Sequence, residues 1–276
     1  MKYLLFCPFW LLPFVCIFSI GPIYADETKS ADKPTPPTIP TYVIHRTQTK
    51  ITIDGRLDEA DWQLAPSLGD FVFGYGLTKG EPTVCKILWD DDYLYFSYFL
   101  KDSHLVGVHT DRDGLIPADD SVEVYITPNV TNPKRHFAFY TNVRAALYDE
   151  QFDEKGTRLR KKEVTTTPKK IRKASWDSQG VLVAVTIDGT YDNDQDIDRS
   201  WSTEVAIPFK NFSSATNRLP PQPNDIWKLN PNRHAYMADR SCQYSQWAAT
   251  IPTTGSFWGP ELFGKVIFSA EPSAKR

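Results

Sequence analysis

The 276-residue chain is poor in sulfur, in histidine and in any excess of one charge. It carries two Met, four Cys and five His, and 31 Lys+Arg stand against 34 Asp+Glu, a net charge of −3. Without a basic excess there is no electrostatic footprint for a phosphate backbone, so nucleic acid is not an expected partner. The histidines, at 45, 104, 109, 136 and 234, lack HExxH or HxH spacing, and the cysteines lack CxxC spacing, which argues against zinc. No GxSxG, P-loop or GxGxxG stretch occurs, and nothing in the spacing of Glu123, Glu204 and Glu261 pairs them as glycosidase carboxylates. Independent enzymatic activity is therefore not expected. Long apolar runs are missing too, apart from Tyr3–Ile20.

That run belongs to Met1–Ala25, one lysine followed by an apolar stretch and a small residue at Ala25. It reads as a signal peptide cleaved near Ala25, which would place the mature chain outside the cytoplasm: secreted, periplasmic or on the cell surface. The competing reading is an uncleaved anchor, since the run is near the roughly 18-residue lower limit for a span, although Pro8 and Pro13 weaken it as a helix. The mature chain shows no further candidate span. Residues 26–41 are proline-rich and read as an extended linker.

What is abundant is aromatic and turn-forming: 13% Phe, Trp and Tyr, with 21 Pro and 14 Gly. Short runs of β-branched and aromatic residues alternate with turn residues. Strands are expected at Thr49–Ile53, Thr83–Trp89, Tyr93–Leu100, Ser121–Thr127, His136–Asn142, Val181–Ile187, Thr203–Ile207, Ile226–Asn230 and Phe263–Phe268. Only Asp58–Ala65 reads as a helix, with acids at its N-terminal end. Many short strands in one composition predict an all-β, antiparallel β-sandwich with one or two short helices, spanning residues 42–269, and a loose tail at 270–276.

Six blocks then occur in order: Ile53-Asp54-Gly55 through Trp62; Ile87-Leu88-Trp89-Asp90 with Tyr93-Leu94-Tyr95; Asp119 through Ile126; His136 through Asn142; Trp201 through Pro208; and Trp227 through Asn230 with Arg233, closed by Trp258 through Gly264. Together they resemble carbohydrate-binding module family 9. The resemblance implies a β-sandwich that binds a glycan, often with structural calcium, and often beside glycan-degrading enzymes as partners.

A sugar offers C–H faces for aromatic stacking and a rim of hydroxyls for Asp, Glu, Asn, Gln or Arg. Carried over position by position, the resemblance implies a site of Glu123, Asn142, Asn232 and an aromatic from Phe257 or Trp258, with Asn230 structural; Arg233 either joins that site or pairs with Glu123 or Asp120, and Asn142 reads equally as a turn residue. Two positions depart from the family pattern. Ile116-Pro117 stands where a first clamp tryptophan is expected, and Tyr140 replaces an arginine. Stacking from one side only, on Trp258 or Trp247, is then the expected mode. Trp62, Trp89, Trp176, Trp201 and Trp227 read as core residues.

Asp192, Asp194, Asp196 and Asp198 alternate like the start of a calcium loop, but Ile197 and Thr203 stand where an EF-hand needs Gly and Glu. They form either an irregular calcium loop or a solvated acidic turn. Cys85 and Cys242, the two cysteines beyond the leader, are either a disulfide pair or two thiols. From other classes come a haem-binding electron carrier, with Met237 and His234 as axial ligands, and a surface domain that has lost its sugar affinity.

Overall fold

The computed structural model describes residues 38–74, 79–159 and 176–274. The expected leader, residues 26–37 of the linker and the last two residues lie outside the described residues. In chain order the strands are β1 (Thr41–Arg46), β2 (Val72–Phe73), β3 (Thr83–Trp89), β4 (Tyr93–Lys101), β5 (Ser121–Thr127), β6 (Phe137–Asn142), β7 (Leu147–Gln151), β8 (Leu182–Asp188), β9 (Ser200–Pro208), β10 (Ile226–Tyr236), β11 (Cys242–Gln246) and β12 (Gly264–Pro272). Two helices, α1 (Ala60–Leu64) and α2 (Thr250–Thr254), are each about one turn long.

The strands form one continuous sheet in the order β7-β6-β5-β10-β12-β1-β3-β4-β9-β8, with β11 pairing β10 and β2. The β7-β6-β5-β10 half and the β3-β4-β9-β8 half turn their inner faces toward one core. From one half come Val122, Val124, Ile126, Phe137 and Phe139, and from the other Ile87, Leu94, Phe96 and Val205. The fold is therefore all-β and sandwich-like. It is mixed rather than purely antiparallel, because β1 runs parallel to both β12 and β3. That parallel strand stitches the two halves together.

Local chemistry explains the elements that position the site. The β3–β4 hairpin closes on Asp90, whose Oδ1 accepts the N–H groups of Asp92 and Tyr93 at 2.8 Å each. Strand β5 (SVEVYIT) alternates strictly: Val122, Val124 and Ile126 enter the core, which sends Ser121, Glu123 and Tyr125 to the opposite face. Trp89, Trp201 and Trp227 are core residues, and Trp176 is partly buried against them. Trp247 is also core: 5% exposed, it donates Nε1–H to Leu68 O and lies so close to Gly264 that a Cβ there would meet its ring at 2.0 Å. It is not a stacking platform.

Two expectations about elements need correction. Thr49–Ile53 is not a strand. The N–H groups of Gln48 and Thr49 go to the Asp61 carboxylate and that of Thr52 to Glu59, so side chains around α1 supply what a sheet ladder would have supplied. Conversely, Leu147–Gln151 and Cys242–Gln246 are strands despite their polar composition, because Asp149, Glu150, Ser245 and Gln246 are all buried.

Candidate functional site

The outer face of β7-β6-β5-β10-β11 carries a concentrated set of aromatic and hydrogen-bonding side chains. Antiparallel register puts Glu123 opposite Tyr140 on one side and opposite Asn232 on the other, and Gln246 opposite Asn232. Two residues along, the same parity aligns Tyr125, and on β10 it adds His234, next to Tyr244 of β11. The segment between α2 and β12 supplies Phe257 and Trp258.

Glu123 is 2% exposed. Its Oε1 accepts Asn232 Nδ2–H at 3.1 Å and lies 3.7 Å from His234 Nε2. The His234 ring stacks on Phe257 with centroids 5.4 Å apart and meets the edge of Tyr244 at 4.9 Å. Neither ring nitrogen of His234 has a hydrogen-bond partner, nor has Oδ1 of the fully buried Asn232. Buried polar atoms are ordinarily satisfied, so three such atoms around one carboxylate mark unmet hydrogen-bonding capacity.

Trp258 is 43% exposed and held in place from beneath. Its Nε1–H donates to Tyr125 Oη at 2.7 Å, and that hydroxyl lies 3.0 Å from Tyr140 Oη. The ring meets Phe152 edge-on at 5.2 Å, and the Arg158 guanidinium stands over it at 4.7 Å. Arg158 is itself anchored on buried Glu150 at 2.9 Å. Burial, reinforced by Glu123, raises the Tyr125 and Tyr140 hydroxyls well above the usual phenol range, so both stay protonated.

Of the six residues named from sequence, four converge here: Glu123, Asn232, Phe257 and Trp258. The other two do not. Asn142 is saturated by its own turn: Nδ2 donates to His109 O and Asp119 Oδ2, and Oδ1 accepts from Arg144 N and Ala146 N. Arg233 pairs in register with Val122 and so points to the other face of β10. There it is 1% exposed, bound to Asp102 Oδ2 at 2.9 Å and to the carbonyls of Glu81, Pro82 and Lys101. His234, Tyr125 and Arg158 share this face and were not named as candidates from the sequence, although alternation outward from Glu123 and Asn232 reaches the first two. Asn230 is structural, holding Ala248 N and O through its side-chain amide.

Each of the four aspartates expected in a calcium loop has protein partners. Asp192 accepts Gly107 N, Asp194 faces His104 and Arg240, Asp196 accepts the Thr190 hydroxyl, and Asp198 accepts Leu105 N and Thr190 N. These contacts brace the loop, with Thr190 shared by Asp196 and Asp198, and the four carboxylates are not among the described groups that converge within 4.8 Å. Among the described residues, one set of three carboxylates, Asp113, Asp149 and Asp177, brings its oxygens within 4.8 Å of one another, and Asp149 there already engages Arg112 and Ser178. Cys85 and Cys242 are two free thiols, not a disulfide: Cys85 is buried in the core and Cys242 half-buried on β11. Burial raises both thiols, Cys242 to about 11. The haem pair also fails to form, because Met237 Sδ contacts Gln243, which by its pairing with Ala235 faces away from His234.

A curled β-sandwich with an aromatic, hydroxyl-seeking outer face is the class defined by fold and site. Residues 53–269 match the model of the family described as Carbohydrate family 9 binding domain-like, and the chain belongs to that family. Among curated proteins none matches the sequence. The fold is similar to that of a family 9 carbohydrate-binding module from Caldicellulosiruptor kristjanssonii solved with cellotriose (TM-score 0.54, 13% identity, 84% of this chain and 94% of that one). The same module solved with glucose aligns with TM-score 0.57 at 14% identity, over 85% and 98% of the two chains. A candidate carbohydrate-binding protein from Bacteroides uniformis aligns with TM-score 0.62 at 14% identity, over 84% and 100%.

Proposed function

We propose that the chain binds a carbohydrate without transforming it, through one stacking ring and a recessed set of polar groups. The observation that carries this reading is the unmet hydrogen-bonding capacity of Asn232 and His234 around Glu123, beside the exposed ring of Trp258. A sugar ring laid on Trp258 directs its hydroxyls toward these groups. Glu123 and Asn232 Oδ1 accept, and a neutral His234 brings one donor and one acceptor. Arg158 occupies one side of the indole, which leaves a single face for stacking. This fits Ile116, which is buried where a second tryptophan was expected.

Family membership supports this reading, as do the glucose and cellotriose bound by structural neighbours. The leader and the non-catalytic site suit a role outside the cytoplasm, holding a glycan for degrading enzymes. Calorimetry of the purified chain with glucose, cellobiose and cellotriose, with a glycan array for other sugars, tests it. Saturable binding that weakens at least about tenfold in Trp258→Ala is expected. Absence of binding to every glycan, or binding indifferent to Trp258→Ala and Glu123→Gln, overturns it.

A further inference from the structure

A second recess lies far along the sheet from Trp258, on the outer face of the other half. Register aligns Val84 with Phe99 and Lys86 with Ser97 across β3 and β4. Leu57 and Gln63 from the segment around α1 close over them. The result is a groove of about 290 Å³ whose walls are apolar and which no carboxylate lines. Phe99 and Val84, side by side on neighbouring strands, remain 38% and 40% exposed, a high value for ring and branched side chains.

The groove holds a cation without a counter-ion. Lys86 is half-buried and gives one Nζ proton to Trp62 O at 2.6 Å. Among the described residues no carboxylate lies within ion-pair distance of it, and burial alone lowers its pKa, the direction expected of an ammonium that has lost water without gaining an anion. Glu204, paired in register with Ser97, is taken up by three N–H donors beneath Trp62. Lys101, whose Nζ lies 5.8 Å from the Phe99 ring centroid, is not among the residues that line the groove, so Lys86 is its one cation.

We infer that this groove is a second binding site, for a small organic carboxylate with a flat apolar body. Phe99 and Val84 cover the body, while Lys86 meets the head group above the buried Ser97. One recessed ammonium between apolar walls suits a weakly hydrated monoanion. A phosphate or sulfate dianion would bring charge that a single lysine leaves uncompensated. The volume sits at the lower end for ligand pockets, which limits the occupant to about the size of one substituted ring. The inference is independent of the glycan-binding reading, because the two sites share no residue.

The test is a titration of the ¹⁵N-labelled chain with benzoate and, separately, with benzamide, which keeps the ring and removes the charge. Benzoate is expected to shift the amide resonances of Val84, Lys86, Ser97 and Phe99 and to saturate near 1 mM, on the order of 4 kcal/mol of binding. Benzamide is expected to bind at least tenfold more weakly. Lys86→Met should reduce benzoate to the benzamide level, and Phe99→Ala should weaken both while leaving the Lys86–Trp62 contact in place. If Lys86→Met fails to fold, the comparison of the two probes on the unaltered chain decides alone. Equal affinity for the two probes, shifts confined to other parts of the sheet, no shift up to about 20 mM, or displacement of benzoate by sulfate at matched ionic strength each overturns the proposal.

Discussion

Trp62 Nε1–H donates to Glu204 Oε1 at 2.8 Å, joining α1 to β9 across 142 residues of sequence. The other oxygen of the same carboxylate accepts the N–H groups of Asp54 and Gly55 at 3.1 and 2.9 Å. Gly55 has φ +85°, and a Cβ there would meet the Val185 backbone at 2.6 Å, so the turn needs glycine on both counts. One buried glutamate thereby organises the whole Asp54-Gly55…Trp62 motif, and the motif packs Trp62 over Leu88, Tyr95 and Ala206 on part of the outer face of β3, β4 and β9.

Burial raises Glu204 from the ordinary 4.5 to about 7. Between those values the folded protein keeps a proton that the unfolded chain has released. The contribution is therefore full below pH 4.5 and is lost as pH rises toward 7. Urea melts at pH 4.5, 6 and 7.5 should show Glu204→Gln losing about 1–3 kcal/mol where the carboxyl is protonated and less at neutral pH. His136, lowered to about 4 by burial, acts in the opposite sense, destabilising the fold as pH falls below 6.5. The difference between wild type and variant isolates the glutamate.

Trp258→Ala should weaken glycan affinity by about tenfold to a hundredfold, the equivalent of one stacked ring at roughly 1–3 kcal/mol. Calorimetry measures it. Circular dichroism should be unchanged, because the ring is largely outside the core.

Tyr125→Phe removes the acceptor that orients Trp258 Nε1–H while keeping the ring that stacks on Phe263 at 5.6 Å. Affinity should fall about threefold to tenfold, in line with one lost hydrogen bond. The Trp258 indole signal in a ¹H–¹⁵N spectrum should move even without ligand. An unmoved signal would remove Tyr125 from its positioning role.

Arg233→Met leaves Asp102 charged, buried and uncompensated. A loss of about 3–5 kcal/mol in stability is expected, and Asp102→Asn in the same chain should restore part of it. Thermal melts check this. A variant with wild-type Tm but no glycan affinity would return Arg233 to the binding site.

Reduction with dithiothreitol should leave Tm unchanged, because Cys85 and Cys242 form no bridge. Cys85 should react with a thiol reagent only after unfolding, and Cys242 slowly in the native protein. A Tm drop on reduction would contradict the free-thiol assignment.

Much of this protein was legible one strand at a time. Thr83–Trp89 and Ser121–Thr127 were readable to the residue because side-chain alternation is local, and the aromatic core followed from it. Glu123, Asn232, Phe257 and Trp258 were nameable as candidates from motif order, and the fold gathers them on one face.

Register decided the rest. Arg233 and Asn232 are neighbours, and only pairing with β5 determines that Asn232 faces Glu123 and Arg233 a buried aspartate. Asn142 was lost to its own turn and β7 to its buried acids, both through contacts made after folding. Sequence by itself determined the all-β class, the family and the apolar stripes, since these depend on residue type and spacing along the chain. The tertiary structure alone decided which polar groups meet and which are spent, because pairing partners come from strands that are distant in sequence and a one-residue slip reverses every face.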